Sequence, residues 1–133
     1  MGNVDKVKAV YAAFGEGQIP TILEHLAEDV NWEQLSTLPE VPWLKPRKGR
    51  SEVPGFFESL APVTFHTFVP HTFFENGNQV LALVDFDATF PASDKKYNFR
   101  NEGHLWTFND AGQVTDYEHL SDTHKHWQAY KGE

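Results

Sequence analysis

The chain has no cysteine and only one methionine in 133 residues. Disulfides, a thiol nucleophile and thiolate ligands for zinc or an iron–sulfur cluster are therefore excluded. Basic residues are scarce too: 11 Lys and Arg face 19 Asp and Glu, for a formal net charge of −8. A surface of that sign repels phosphate backbones and anionic headgroups, so neither nucleic acid nor a membrane is an expected partner. No apolar run reaches the roughly 18 residues that a spanning helix needs. No basic-plus-apolar leader pattern stands near the N-terminus, so the expected location is the cytoplasm. There is no Gly-rich phosphate loop and no serine on a strand–turn–helix elbow, which leaves nucleotide phosphates and Ser/His/Asp acyl transfer without support.

What the chain does have is apolar and aromatic surface. It is 40% hydrophobic and 14% aromatic, with 11 Phe and 4 Trp. That is enough for a packed core, and the length fits one domain over residues 1–133. Aromatic side chains also line pockets for flat or greasy ligands.

The pattern begins with a helix. Asn3 is a plausible N-cap, Val4, Val7, Val10, Tyr11 and Phe14 recur at helical spacing, and Gly15 and Gly17 end the run. Ile19-Pro20 opens a second helix with Ile19, Ile22, Leu23 and Leu26 as its apolar stripe, because proline is tolerated in a first turn. Residues Val30 to Leu35 read as a short strand, followed by a long loop from Ser36 to Arg50. Trp43 in that loop can either cover a pocket mouth or plug the fold and anchor the loop. The run Lys45 to Arg50 reads as a solvated basic loop, with a local anion contact as the alternative. Ser51 is a candidate N-cap for a third helix that buries Val53, Phe56, Phe57 and Leu60, with Pro54 in its first turn.

From residue 63 the period drops to two. Val63–Phe74, Gln79–Phe90, Lys95–Phe108 and Gln113–Leu120 read as four strands joined by short turns, hence antiparallel. A last short helix follows Ser121-Asp122. Helices gathered before an antiparallel sheet give an α+β fold: three N-terminal helices packed on one face of a curved, mostly antiparallel sheet.

Order and spacing together resemble the SnoaL-like family of the ketosteroid isomerase and nuclear transport factor 2-like superfamily. The resemblance rests on Asp29-Val30-Asn31-Trp32-Glu33, Pro42-Trp43, and Gly49-Arg50 with Val53, Phe56, Phe57 and Leu60. It continues through Glu102-Gly103-His104-Leu105-Trp106, Gly112-Gln113-Val114, Tyr117 and Asp122-Thr123. It implies a cone-like fold with a conical cavity between helices and sheet, and commonly a homodimer formed through the sheet. Relatives include isomerases, polyketide cyclases, epoxide hydrolases and members that only bind a partner. Carried onto this chain, the isomerase base falls at Gln34, which cannot take a proton near neutral pH. The helix-one Tyr falls at Val10, with Tyr11 one place off, and the protonated Asp falls at His104. A cyclase-type His also matches His104. The last-strand acid of the hydrolases falls at His119.

Strand parity decides which side chains meet. Arg100, Glu102, His104, Trp106 and Phe108 share one face of their strand, and Tyr117, His119 and Ser121 share one face of the next. With His104 and His119 inward, two imidazoles sit in one pocket, where one can act as base and the other can donate to a developing oxyanion. The expected catalytic residues are His104, His119 and Glu102, the last as an orienting carboxylate. Trp32, Gln34, Trp43, Phe57, Trp106 and Tyr117 are the expected substrate-binding wall. No metal is expected: His124 and His126 lie two apart near a helix and point to different faces, and no His-x-x-x-His pattern occurs. No cofactor is implied. The expectation is a protein that binds a small, largely apolar organic molecule, with proton-transfer chemistry of isomerase, cyclase or hydrolase type. The alternative is a non-catalytic binding or dimerisation module.

Overall fold

Residues 2–133 are described by a computed structural model. The chain runs α1 (Asn3–Gly15), α2 (Ile19–Glu24), β1 (Leu26–Trp32), a 3-10 turn at Pro42–Leu44, β2 (Arg47–Lys48), α3 (Val53–Leu60), β3 (Thr64–Asn76), β4 (Gln79–Thr89), β5 (Lys96–Phe108), β6 (Val114–Leu120) and α4 (Thr123–Lys131). All six strands form one sheet in the order β2-β1-β6-β5-β4-β3. Every neighbouring pair is antiparallel except β1 with β6. The result is the α+β fold that the period change at residue 63 implies, in the cone-like form that the family resemblance implies.

The four long strands follow their alternation closely. On β4, Val80, Ala82, Val84 and Phe86 face the core, while Leu81 and Leu83 on the other face are half-buried. Edge strand β3 carries two irregularities, between Phe65 and Thr67 and between Pro70 and Thr72. Each gives β3 one residue more than its partner, which bends the sheet around the helices, and Pro70 sits at the second, where a missing N–H costs least.

The N-terminal half differs from its pattern in four places. Helix α1 is capped by Gly2, with Asn3 already inside it and no side-chain cap. Helix α2 stops at Glu24, and Leu26 instead opens β1, which runs earlier than the strand expected from Val30 to Leu35. Leu26 is apolar and fully buried in either setting, so its periodicity cannot separate helix from strand. Glu52, not Ser51, flanks α3, though Pro54 does occupy the first turn. At the other end Asp122 caps α4, its Oδ1 accepting from the Lys125 N–H at 3.1 Å.

The long loop is tied down by its own cations. Arg50 donates from Nε and Nη2 to the Leu26 carbonyl, and Arg47 donates to the Pro42 and Lys45 carbonyls. Lys48 reaches Asn31 Oδ1 at 2.7 Å. The basic run is thus a set of clamps onto β1 and the loop backbone, not a freely solvated segment.

Candidate active site

A cavity of about 670 Å³ of space between atoms, part of it open to solvent, lies between the sheet and helices α1 and α3. Its wall is almost wholly aromatic. Trp32 stacks on Tyr117 at 4.3 Å, and Trp106 lies 4.6 Å from the same ring. Phe14, Phe57, Phe65 and Phe68 line the partly exposed side. Three imidazoles, His104, His119 and His126, make its polar end.

The register of β5 and β6 pairs His104 with His119 and Trp106 with Tyr117. The two imidazole rings stand edge to face, 4.7 Å between centroids. Trp32, Trp43, Phe57, Trp106 and Tyr117 all line the cavity with them. Gln34 does not. It is exposed on the strand edge, donating to the Arg47 carbonyl at 2.6 Å and more weakly to the Trp32 carbonyl.

Glu33 takes the inward place instead. Its φ is +60°, a left-handed conformation in which alternation fails, so the carboxyl turns under the sheet to 2% exposure. There it accepts the backbone N–H of His119 at 2.6 Å and sits 3.3 Å from the ring Nδ1 of the same residue. A non-glycine residue held there costs of order 1–3 kcal/mol, and such strain concentrates at functional sites.

A second break in alternation sits on β5. Asn101 has φ +54°, and its N–H bonds Asp85 Oδ1 at 2.8 Å. Between Val84↔Glu102 and Phe86↔Phe99 the strand gains one residue. Beyond this bulge Phe99 faces inward and Arg100 outward, where it pairs with Asp87. Arg100 and Glu102 therefore do not share a face, against the simple parity. Glu102 remains inside, 3% exposed.

Proton positions follow from the two tryptophans, whose indole N–H can only donate. Trp106 Nε1 donates to the Tyr11 hydroxyl at 3.1 Å, and the buried hydroxyl's own proton has His104 Nδ1, at 2.8 Å, as its acceptor. His104 is left with its proton on Nε2, which is buried and without a partner. Burial, and then the charge of His119, hold His104 neutral, lowered to about 3. Burial raises the Tyr11 hydroxyl above its ordinary value, so it too stays neutral.

Trp43 acts likewise on α4. Its indole donates to His126 Nδ1 at 2.9 Å, so His126 carries its proton on Nε2 and gives it to Glu102 Oε1 at 2.5 Å. Of the two roles open to Trp43, the anchor is the one observed: it is buried, tilted against Phe90 at 5.0 Å between centroids, and pins its loop to α4. His124 is exposed on the opposite side of α4, as its spacing requires, whereas His126 belongs to the site.

His119 stands between two carboxylates. Glu33 holds Nδ1, and Glu102 Oε2 lies 3.7 Å from Nε2, an ion pair too long for a direct hydrogen bond. Burial alone would depress His119, but Glu102 and then Glu33 outweigh it and raise it to about 10. Burial likewise pushes Glu102 up, and the His119 charge together with the bond from His126 reverses this, holding it well below the ordinary carboxylate range. At neutral pH the site holds the His119 imidazolium between Glu33 and Glu102, beside a neutral His104.

Glu102, His119 and His126 bring ligand atoms within 4.8 Å of one another. A metal-bound imidazole needs its lone pair on the metal and its other N–H given to an acceptor. His126 is arranged the opposite way, since Trp43 occupies Nδ1 as a donor and the proton faces Glu102. The donor set does not fit a cation in this arrangement.

The SnoaL-like domain family matches residues 7–117 of the chain. The chain belongs to that family. No curated protein matches it. Among solved structures, an NTF2-like protein of unknown function from Burkholderia pseudomallei is 23% identical with a TM-score of 0.83, covering 97% of this chain and 98% of its own. TerC, crystallised with polyporic acid, is 22% identical with a TM-score of 0.78 and 96% coverage of both chains. A Mycobacterium tuberculosis protein in complex with estradiol-17β-hemisuccinate is 16% identical with a TM-score of 0.73, covering 92% of this chain and 95% of its own. At these identities the likeness is one of SnoaL-like fold.

Within that fold, two site residues escape a linear reading. Glu33 is one position from Gln34, and Tyr11 is one position from Val10, the residue that falls at the helix-one tyrosine place. Tyr11 is the side chain that reaches His104, while Val10 packs in the core.

Proposed function

We propose that this SnoaL-like protein binds a small, flat, largely apolar organic molecule bearing an oxygen acceptor, and transfers a proton at that oxygen or the carbon beside it. The observation that carries this reading is the donor arrangement at the polar end of an aromatic cavity. His104 Nε2–H is buried and unpartnered, and the His119 imidazolium stands beside it. Two such groups favour charge that develops on a carbonyl or enol oxygen, because they are preorganised in a water-poor site. His119 is the acid, His104 a neutral donor, and Glu33 and Glu102 keep His119 charged and aimed. Once it has given up its proton, His119 is the base for the return step. Ligand-bearing neighbours in the same fold support a pocket of this class.

The test uses 2-tetralone, a flat bicyclic ketone, in D₂O. The reading expects saturable binding and protein-dependent exchange of the protons beside its carbonyl, lost in His119→Gln and weakened in His104→Ala. Absence of both binding and exchange would overturn it. Binding without exchange would favour a second reading, a carrier or sensor. That reading draws on the fact that no free base faces the cavity in the resting state: His119 is charged, and the free nitrogen of His104 already holds a proton. We further propose a cytoplasmic homodimer joined through the outer sheet face, where Val69, Phe74 and Leu120 are exposed. A monomer by light scattering at micromolar concentration would contradict it.

A further inference from the structure

Phe99 and Glu102 are three residues apart on β5, and strict alternation puts such residues on opposite faces. Both are nevertheless buried, at 2% and 3% exposure. Phe99 stacks on Phe86 at 4.5 Å, while Glu102 accepts from His126 and pairs with His119. The bulge between them reconciles the two, because Arg100 and Asn101 together stand opposite Asp85 of β4. The place of Glu102 beside His119 therefore depends on Asn101 keeping its left-handed φ of +54°.

Asp85 holds that residue from outside the cavity. Its Oδ1 accepts the Asn101 N–H at 2.8 Å, and this bond, ahead of any other contact, keeps the carboxyl below the ordinary carboxylate range. The same oxygen takes a second contact from the strand on its other side. On β3 the pairs Pro70↔Val84 and Thr72↔Leu83 leave His71 as an extra residue, and its Nε2 lies 3.1 Å from Asp85 Oδ1. Thr72 Oγ1 holds the other ring nitrogen, Nδ1, at 2.7 Å. Two bulges on different strands thus close on one carboxylate oxygen, which satisfies the N–H that the β5 bulge takes out of the ladder.

We propose that Asp85, on the sheet face turned away from the cavity, is a positioning residue that locks the Asn101 bulge and so keeps Glu102 against His119. Asp85 lies between inward-facing Val84 and Phe86, and it does not line the aromatic cavity. It acts on the chemistry only through Glu102, and its purpose rests on the proton transfer proposed above. Asparagine tolerates left-handed backbone but does not require it, so the bond to Asp85 is what selects that conformation at residue 101. Without the bond, a change at Asn101 turns the peptide that leads into Glu102 and withdraws its carboxylate from the His119 ring. Withdrawal by about 2 Å costs the ring about tenfold in proton affinity at an effective dielectric constant of about 20.

The test titrates His119 through its ring ¹⁵N shifts in histidine-labelled protein without ligand. Asp85→Ala is expected to lower the titration midpoint by about one pH unit, the same tenfold loss. Asp85→Asn keeps an Oδ1 acceptor without the charge and should leave the midpoint in place. Asn101→Val, a β-branched residue disfavoured at that φ, should reproduce the loss with Asp85 intact. An unchanged midpoint in Asp85→Ala would overturn the inference. So would an equal fall in Asp85→Asn, because Asp85 would then act by its charge through the sheet and not by holding the bulge. If Asp85→Ala does not fold, Asn101→Val and Asp85→Asn decide in its place. If wild-type protein does not exchange the protons of 2-tetralone, the proton-transfer reading fails, while the titration of free protein still decides the role of Asp85.

Discussion

Glu102→Gln is the perturbation that separates charge from shape at this site. The amide keeps an oxygen for the His126 N–H but removes the charge that stands first among the groups raising His119. A rise from 6.5 to about 10 corresponds to about 5 kcal/mol in favour of the charged ring, at 1.36 kcal/mol per pKa unit. Glu33 and Glu102 share that amount, and burial opposes both. Glu102 stands ahead of Glu33 among the groups that raise His119, so losing it should remove the larger share, on the order of 3 kcal/mol. The sign follows from linkage. A histidine raised on folding contributes stability that is fully present below its unfolded value and is lost as pH rises through its folded value. The wild-type contribution is therefore complete below 6.5 and gone above about 10. Glu102→Gln should destabilise the fold by about 3 kcal/mol near pH 6.5 and by little above pH 10, where the wild-type ring is neutral and its buried carboxylate is uncompensated. Urea unfolding across this range reads the difference directly. A loss of stability that is the same at both ends would refute the reasoning, because it would mean Glu102 acts through packing alone.

Other outcomes follow from named contacts. Trp43→Phe removes the only donor on His126 Nδ1, so it should cost about 1–2 kcal/mol in thermal or denaturant unfolding. It should also free the Nε2 lone pair, so zinc binding by calorimetry should appear in the variant and be absent in wild type. Tyr11→Phe removes the donor on His104 Nδ1, so ¹⁵N shifts of that ring should change from a fixed Nε2–H form to a mixture. Asp122→Ala removes the α4 cap and should cost about 1 kcal/mol, read as a lower unfolding midpoint with unchanged cavity binding.

Much of the fold was legible because long strands leave an unambiguous trace. Residues 79–90 alternate so strictly that their buried face could be written from sequence, and the short turns made antiparallel pairing the economical solution. The meeting of His104 and His119 was legible for the same reason, since parity plus a tight turn fixes register. Glu33, Tyr11, His126 and Arg100 were not. Glu33 and Asn101 occupy left-handed backbone without being glycine, so nothing in residue type marks the break, and one such residue moves neighbouring side chains to the opposite face. Gln34 was the natural choice on unbroken alternation, and it is the residue the break turned outward. His126 lies two residues from exposed His124, and that spacing by itself does not say which of the two turns inward. The useful signal was its i, i+3 partner Ala129, which shows the inward stripe of α4.

The most direct measurement is the protonation state of the three site imidazoles at pH 7.5, read from ¹⁵N shifts of their ring nitrogens. The account predicts His119 protonated on both nitrogens, and His104 and His126 neutral with the proton on Nε2, with the His104 and His119 signals moving when 2-tetralone is added. A neutral His119, or a charged His104, would contradict it.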